Sequence, residues 1–500
     1  MEVNCYEVFH WEFLSVMSDN SVIPAGQIQF EDESPQAVWA YRIDGTLFGL
    51  NFMPQQIGRW QYQFNLLEQQ CKGYFDCVEN DRNNHGVVCA KGQHFEYTDG
   101  RIFWPFGTTC YAWTNQPTQL QNETLATLEQ ASFNKVRMCV FPKSMPYNHN
   151  DPECYPFNRD ARGGWNVLDI NKQFWNNLEA RIGALQKLGI QADLILFHPY
   201  DRWGFEDLTI DESLKYLKYV VVRLGAYANI WWSLANEYEM VLSKRIKDWD
   251  LLGTELSRLD SYHHLISIHD ILQIYPSRPW LTHCSVQTDD LDQVLNLRRR
   301  YRCPVIVDEC GYEGDLDFGW GNLSAREMVH RFWTVICRGG YCTHGETFDS
   351  EDEILWWAKG GKLHGASTSR IKFLKDILTS LPIGNPVYRD LQDPNQKRNQ
   401  TLSLKSQRFR QTVTSLPKAQ QERVIFSEPM CLEGQGFVLT YLGRHVPKQT
   451  KITLPDSGTY HVEVIDTWRM RRRTVSKRAV KEIVVNLPRQ EGLAILAIRL

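Results

Sequence analysis

The 500-residue sequence is short of long apolar runs, of paired cysteines and of excess charge. It has no run of about 18 apolar residues, so a membrane-spanning helix is not expected. Its 13 cysteines are an odd number without a CxxC pair, which argues against a disulfide framework or zinc ribbon and favours reduced thiols. The net charge of −4 gives no general attraction for nucleic acid or anionic lipid, so neither is an expected partner.

The amino terminus also lacks the pattern of a secretory signal. Residues 1–20 contain acidic side chains and no basic segment followed by an apolar one. We therefore expect a soluble, cytoplasmic protein.

The composition is that of a folded, multidomain chain. Hydrophobic residues make up 43% and charged residues 23%, which leaves enough apolar side chains for several cores. Aromatic residues make up 12%. Flat aromatic faces suit sugar rings, although most such side chains serve as core.

The flanking regions show strand patterns. Residues 1–97 alternate apolar-aromatic stretches, such as 37–43 and 58–66, with turn residues, which predicts an N-terminal β-sandwich that supports or shapes a substrate site. Residues 386–415 are polar and contain prolines, which indicates a linker. Residues 416–500 alternate apolar and polar residues and predict a C-terminal antiparallel β-domain. Its basic run 468–473 could attract an anion, but a solvated hairpin face is the favoured interpretation.

Residues 98–385 show buried strands that alternate with amphipathic helices. The eight predicted strands are 102–108, 135–141, 191–197, 230–235, 265–269, 281–286, 305–308 and 340–343. Helices are predicted at 173–188 and at 212–224, the second with a cap at Asp211. Eight strand–helix repeats are the count at which a parallel sheet closes into a (β/α)8 TIM barrel. An open, doubly wound sheet is the alternative, but no Gly-rich phosphate loop follows the first strand.

Two glutamates stand where predicted barrel strands end. Asn236 and Glu237 follow the fourth strand, and Glu309 ends the seventh. In such barrels catalytic side chains lie at the carboxyl ends of the strands. Two carboxyls facing each other there can cleave a glycosidic bond, one as acid and the other as nucleophile or base. A lone acid in this position is more often structural, so the prediction depends on the pair.

The motifs around these glutamates resemble the signatures of clan A glycoside hydrolases. Residues 235–237 read Ala-Asn-Glu and residues 307–311 read Val-Asp-Glu-Cys-Gly. The whole chain is similar to the apiosidase-like branch, with a β-sandwich before the barrel and a small β-domain after it. The stretch 94–113 resembles that branch's entry into its first barrel strand.

The resemblance implies roles for two supporting residues. Arg137 on the second strand would hydrogen-bond Glu309 and keep it ionised. Asn236 would hold the 2-hydroxyl of the sugar. Arg137 could instead pair with a structural acid.

Histidines and aromatic residues supply further candidates. His198, His269 and His283 are interpreted as strand-end groups that bind substrate, or as buried structural histidines. No metal is expected, because no short-spaced ligand pair is present.

The eighth strand departs from the clan pattern, because His344 and Glu346 stand where many members have a floor tryptophan. Glu346 is interpreted as a substrate contact or a helix cap. Trp356 or Trp357 could replace the floor. Further lining candidates, each of which could equally be core, are Tyr111, Trp113 and Trp203.

The functional hypothesis is a retaining, exo-acting glycosidase. Glu309 would be the nucleophile and Glu237 the acid/base, acting without a cofactor on short, plant-derived oligosaccharides or glycosides. Homo-oligomerisation is possible. The alternatives are an inactive, carbohydrate-binding barrel and a barrel hydrolase or lyase for a non-glycosidic bond.

Overall fold

The computed structural model describes residues 1–15, 20–66, 69–80, 84–350, 352, 354–382, 387–388, 412, 415, 430–444 and 446–500. The helices are α1 (Thr118–Gln130), α2 (Lys172–Lys187), α3 (Ile210–Leu224), α4 (Ile246–Leu259), α5 (Gln293–Tyr301), α6 (Ala325–Cys337), α7 (Trp356–Lys359) and α8 (Ser367–Thr379), with 3₁₀ turns at Trp113–Asn115 and Tyr238–Met240. None of the helices in the described residues is both long and apolar enough to cross a membrane.

The strands fall into three regions of the chain. Those before the barrel are β1 (Glu2–Asn4), β2 (Phe9–Leu14), β3 (Val22–Phe30), β4 (Gln36–Asp44), β5 (Leu47–Phe52), β6 (Gly58–Leu66), β7 (Gln69–Val78), β8 (Val88–Lys91), β9 (His94–Tyr97) and β10 (Ile102–Phe103). The barrel region has β11 (Phe106–Thr109), β12 (Lys135–Cys139), β13 (Phe157–Arg159), β14 (Trp165–Ile170), β15 (Gln191–Phe197), β16 (Ile230–Ala235), β17 (Leu265–Ser267), β18 (Cys284–Gln287), β19 (Val305–Glu309), β20 (Glu313–Gly314), β21 (Tyr341–His344) and β22 (Glu346–Thr347). The last region has β23 (Val387–Tyr388), β24 (Met430–Gly434), β25 (Phe437–Tyr441), β26 (Gln449–Thr453), β27 (Thr459–Asp466), β28 (Arg471–Val480), β29 (Glu482–Asn486) and β30 (Leu493–Arg499).

Eight parallel strands form a nearly closed barrel. Their order is β17-β16-β15-β12-β11-β21-β19-β18, and every neighbouring pair is parallel. A parallel bridge between His269 and Ser285 joins the two edge strands. Because the strands run in one direction, all their carboxyl ends meet at one mouth.

The sequence predictions for the start of the first barrel strand and for the cap of α3 are wrong in detail. The first barrel strand begins at Phe106 and not at residue 102, because Ile102 and Phe103 pair antiparallel with β9. Pro105, which has no backbone N–H to donate, separates these two residues from the barrel strand. Helix α3 is capped by Thr209 and not by Asp211. The Thr209 hydroxyl and the Glu212 carboxylate form a reciprocal capping box.

The N-terminal strands β1 to β7 form one sheet in the order β1-β7-β6-β3-β4-β5-β2. The predicted sandwich requires two sheets, whereas this single sheet folds over itself. Phe9 near one edge stacks on Phe75 near the other, with ring centroids 4.4 Å apart. Trp11 likewise contacts Tyr62 at 5.5 Å. These aromatic side chains pack between the two halves of the folded sheet, as they would between the two sheets of a sandwich.

The outer modules pack on the barrel. Asn51 on β5 donates a hydrogen bond of 2.7 Å to the Arg223 carbonyl at the end of α3. The small sheet β8–β10 covers the amino-terminal end of the barrel, where Phe95 lies 5.1 Å from the ring of Trp231. The C-terminal region is antiparallel, with a six-stranded and a two-stranded sheet, and Tyr441 packs 5.6 Å from Trp333 of α6. The predicted linker 386–415 lies outside the described residues, except for 387–388 in β23 and residues 412 and 415.

Candidate active site

Glu237 and Glu309 both lie at the mouth of the barrel. Glu309 is the last residue of β19, and Glu237 lies two residues beyond the end of β16. Each is 4% exposed. Glu237 has a left-handed backbone, with φ +46°, which non-glycine residues adopt rarely and mainly at turns and functional sites.

A tyrosine hydroxyl donates to each of these carboxylates. Tyr111 donates to Glu309 and Tyr200 donates to Glu237. The Tyr111 hydroxyl also lies 3.4 Å from Oδ1 of Asn236. The phenol O–H orients the carboxylate. It also replaces a hydrogen bond from water that the carboxylate loses on burial.

Arg137 does not hydrogen-bond Glu309, which corrects the role implied by the clan resemblance. Its two terminal nitrogens donate to Asn236 Oδ1 at 2.8 Å and to Ser233 Oγ at 3.1 Å. It also pairs with Asp193 at 3.6 Å. Both terminal nitrogens thus contact partners other than Glu309, and the hydrogen bond that Glu309 accepts comes from Tyr111.

A polar layer supports the mouth from inside the barrel. Lys135 donates 2.7 Å hydrogen bonds to both Asp193 and Asp308. Ser285 and Thr343 donate to Asp308 at 2.6 and 2.7 Å. The adjacent cations hold the pKa of Asp308 well below its usual range, in spite of its burial. These hydrogen bonds fix the position of Asp308, the residue that precedes Glu309 in β19.

Lys143 is buried against aromatic faces at the same end of the barrel. Its ammonium lies 3.2 Å from the ring centroid of Tyr111, 4.2 Å from that of Tyr200 and 5.8 Å from that of Trp357. Cation–π attraction offsets part of the cost of burial. Burial lowers the pKa of Lys143, while the charges of Cys139, Glu237 and Glu309 act in the opposite direction.

Glu237 differs from an ordinary glutamate in its protonation. Burial, and then the charge of Glu309, raise the pKa of Glu237 to about 7, against the lowering effect of Lys143 and the Tyr200 hydrogen bond. The side chain therefore holds a proton near neutral pH, as a general acid must.

This raised pKa predicts a pH-dependent stability cost. Below the ordinary pKa of about 4.5, Glu237 is protonated in both the folded and the unfolded chain and there is no cost. As the pH rises from there to about 7, only the unfolded chain ionises, and stability falls by about 3 kcal/mol. Glu237→Gln should therefore gain stability relative to wild type over this interval. Denaturant unfolding at pH 4, 5.5 and 7.5 measures the gain, and an equal difference at all three values would contradict the assignment.

The predicted aromatic residues divide between site and core. Tyr111 is at the mouth. Trp113 is fully buried and its indole N–H points to Met138 Sδ at 3.3 Å, so it is core. Trp203 lies on the loop after β15, where its indole donates to Asp151 at 2.8 Å.

The tryptophan near the glutamates is Trp357 and not Trp356. Trp356 is buried and donates to Thr108 at 2.8 Å, which makes it a core residue. The ring of Trp357 lies 5.9 Å from Tyr111 and 5.3 Å from Tyr312.

The three predicted histidines differ in position. His198 follows β15 and lies 3.2 Å from the Phe141 carbonyl, and burial lowers its pKa to about 3. His269 follows β17 and is fully buried, with neither ring nitrogen bonded to protein. His283 is misassigned as a strand-end residue, because its strand begins only at Cys284. Its ring packs against Trp231 at 5.5 Å, towards the opposite end of the barrel.

Of the two predicted roles of Glu346, substrate contact and helix cap, its hydrogen bonds match the helix cap. It accepts hydrogen bonds from the backbone N–H groups of His364 and Gly365, just before α8. It is 1% exposed, and burial raises its pKa to about 7.

Several buried polar atoms at the mouth have no protein partner. They are both ring nitrogens of His269, Nδ2 of Asn236, Oδ1 of Asp270 and the indole nitrogen of Trp357. Buried polar groups are nearly always paired with protein, water or ligand. This mixture of donors and acceptors matches the hydroxyl groups of a sugar.

Three of the groups at this end were not predicted from sequence: Lys143, Asp270 and Tyr312. Each lies three or four residues beyond its strand, whereas the sequence prediction rests mainly on the first polar residue after an apolar run. The sequence feature that could identify them is a charged or phenolic residue a few positions after the end of a predicted strand.

Comparison with known proteins adds family information. A model described as "Apiosidase-like, catalytic domain" matches residues 90–385, and one described as "Domain of unknown function (DUF5605)" matches residues 426–500. No curated protein matches the chain.

Two solved structures from Bacteroides vulgatus ATCC 8482 are similar to it. A candidate glycoside hydrolase is 29% identical, with a TM-score of 0.86 and coverage of 100% of both chains. A glycoside hydrolase of family 5 is 15% identical, with a TM-score of 0.62 and coverage of 83% of this chain and 94% of that one. The second likeness supports the fold alone.

Proposed function

The chain belongs to the apiosidase-like family of glycoside hydrolases, and we propose that it is a retaining, exo-acting glycosidase that cleaves short, plant-derived oligosaccharides or glycosides. The observation that carries this proposal is the pair of buried glutamates at one barrel mouth, of which one has a pKa near 7. The full-length similarity to a candidate glycoside hydrolase supports it.

In the proposed first step Glu309 attacks the anomeric carbon. The Tyr111 hydroxyl orients this carboxylate. Glu237 gives its proton to the departing oxygen, because its raised pKa keeps it protonated near pH 7. A covalent bond forms between Glu309 and the sugar as the glycosidic bond breaks.

In the second step water releases the sugar. Loss of the Glu309 charge on glycosylation removes one cause of the raised pKa of Glu237, so Glu237 stays ionised near neutral pH and can accept a proton from the attacking water. The bond to Glu309 breaks and the original anomeric configuration returns.

Asn236 is positioned to bind the sugar 2-hydroxyl. Arg137 holds its Oδ1 at 2.8 Å, which fixes the amide and leaves Nδ2 without a protein partner. A hydrogen bond from Nδ2 to the 2-hydroxyl would strengthen in the transition state. Arg137 is thus a positioning residue for Asn236 in this proposal.

The test is a screen of nitrophenyl glycosides of the common hexoses and pentoses, apiose and arabinofuranose included. Release of nitrophenol from at least one of them, lost in the Glu309→Gln variant, is the expected result. Saturable sugar binding without turnover of any glycoside would favour the inactive, carbohydrate-binding alternative.

The pH profile tests the assignment of the acid. We expect kcat/KM to fall above about pH 7 as Glu237 loses its proton. Lys143→Met should move this limb to higher pH, because removal of a nearby cation disfavours the ionised form of Glu237.

The matched control for this profile is Lys218→Met, which removes another cation–π lysine that lies 4.2 Å from the ring of Trp39. Its profile should match wild type. A limb that stays in place or moves to lower pH in Lys143→Met would contradict the assignment.

A further inference from the structure

Three buried side chains converge beside the barrel mouth, and we call them the buried carboxylate cluster: Glu313, His344 and Glu346. Glu313 and Glu346 are opposite each other in the parallel pair of β20 and β22, and His344 ends β21. One ligand atom from each lies within 4.8 Å of the other two. Their exposures are 2%, 0% and 1%.

Backbone N–H groups, and not lysine or arginine side chains, contact the two buried carboxyl groups of this cluster in the described residues. Among the described residues, neither Glu313 nor Glu346 forms an ion pair with a lysine or arginine. They accept hydrogen bonds from four successive backbone N–H groups, at residues 364–367, where α8 begins. A carboxylate oxygen that accepts one such bond still has a free lone pair.

His344 supplies an independent sign that a ligand is needed. Its Nε2 has no protein partner, although the side chain is fully buried, and lies 4.0 Å from Oε2 of Glu346. Its Nδ1 lies 3.2 Å from Oγ1 of Thr108. Thr108 already accepts the indole N–H of Trp356 and can accept a second bond, from Nδ1–H. That tautomer leaves the lone pair of Nε2 directed into the cluster, as in histidines that bind metals.

Gly365 shows that the two carboxylates converge. A Cβ atom at this position would lie 2.5 Å from Oε2 of Glu313 and 2.6 Å from Oε2 of Glu346. The absence of a side chain therefore lets both oxygens approach the same point. Ligand atoms about 2.0–2.2 Å from a tetrahedral zinc ion lie about 3.3–3.6 Å from one another, so a separation of 4.8 Å must close by more than an ångström. Rotation of a glutamate side chain can provide this.

We propose that Glu313, His344 and Glu346 bind one divalent transition-metal ion, with Zn²⁺ as the representative ion. One imidazole and two carboxylates form a donor set for such an ion, whereas Mg²⁺ and Ca²⁺ prefer oxygen ligands alone. The ion joins β20, β21 and β22, whose two glutamates accept hydrogen bonds from the start of α8. It therefore stabilises the segment that carries Tyr312, the neighbour of Glu313. The site is separate from the proposed catalytic pair.

The first test measures metal on the wild-type, full-length protein. We strip the protein with EDTA, dialyse it and add Zn²⁺, Mn²⁺, Mg²⁺ or Ca²⁺. Elemental analysis should find about one tightly held Zn²⁺ per chain, and Zn²⁺ should raise Tm by about 2 °C or more over the stripped protein. No retained zinc and no shift in Tm would overturn the proposal, as would a response to Mg²⁺ or Ca²⁺ alone.

Variants assign the ion to these residues. His344→Gln and Glu313→Gln should each lose the bound zinc and the Zn²⁺-dependent rise in Tm. The matched control is Glu179→Gln, which changes a carboxylate paired with Arg223 at 2.8 Å, away from the cluster, and should keep both. Full zinc content in folded His344→Gln would place the ion elsewhere and overturn the proposal. If neither variant folds, the wild-type measurements decide. Because the readouts are metal content and Tm, failure of the proposed glycosidase activity would leave them unaffected.

Discussion

Glu309→Gln should lower kcat on any hydrolysed nitrophenyl glycoside by about 10⁴-fold or more, with the fold intact. The amide has the shape of the carboxylate and can still accept the Tyr111 hydrogen bond, so packing at the mouth is retained. It cannot form the covalent bond to the sugar, and the first step of the proposed mechanism stops. Initial rates and a far-ultraviolet circular dichroism spectrum measure the two parts of this prediction.

The control for this variant is Glu123→Gln, a surface change at a residue paired with Lys362. It should keep wild-type kcat. A Glu309→Gln protein that is folded and hydrolyses glycosides at more than a tenth of the wild-type rate would exclude Glu309 as the nucleophile.

Glu237→Ala should reduce kcat by about 10²–10⁴-fold, and azide should restore much of it on a substrate with a good leaving group. Such a substrate needs little help from an acid, so the glycosyl-enzyme still forms. Its breakdown then lacks a base. Azide needs no base and fits the space that the side chain vacates. The product should be a glycosyl azide of retained configuration, identified by nuclear magnetic resonance.

Glu309→Ala provides the comparison for azide rescue. Here azide would attack from the side that the nucleophile occupied and give an azide of inverted configuration. An inverted azide from Glu237→Ala would instead assign the mechanism as inverting, with the roles of the two glutamates reconsidered.

The barrel was predictable from sequence because its strands are buried on both faces and therefore appear as continuous apolar runs. The stretch Ile230–Ala235, which is fully buried and apolar except for Ser233, is a clear example. The polar residues after the strands reach one end of the sheet for a topological reason, since parallel strands share a direction. The placement of Glu237 and Glu309 at one mouth follows from this.

Side-chain partners could not be predicted in the same way. Arg137 stands on its predicted strand but donates to Asn236 and not to Glu309, because its choice depends on the lengths and angles of neighbouring side chains. Lys143 and Tyr312 lie on loops whose paths follow no periodic pattern. The folded-over N-terminal sheet was predicted as a sandwich because alternation reports which face is buried and not which strands share hydrogen bonds.

The most direct test of the account is a search for the covalent glycosyl-enzyme. The wild-type protein would be incubated with the 2-deoxy-2-fluoro analogue, with an activated leaving group, of the glycoside that it hydrolyses fastest. Mass spectrometry should show one fluorosugar added per chain, on the peptide that contains Glu309, and no adduct in Glu309→Gln. Turnover of the parent glycoside without any adduct and with inverted product, or an adduct on another residue, would contradict the proposal that Glu309 is the nucleophile of a retaining glycosidase.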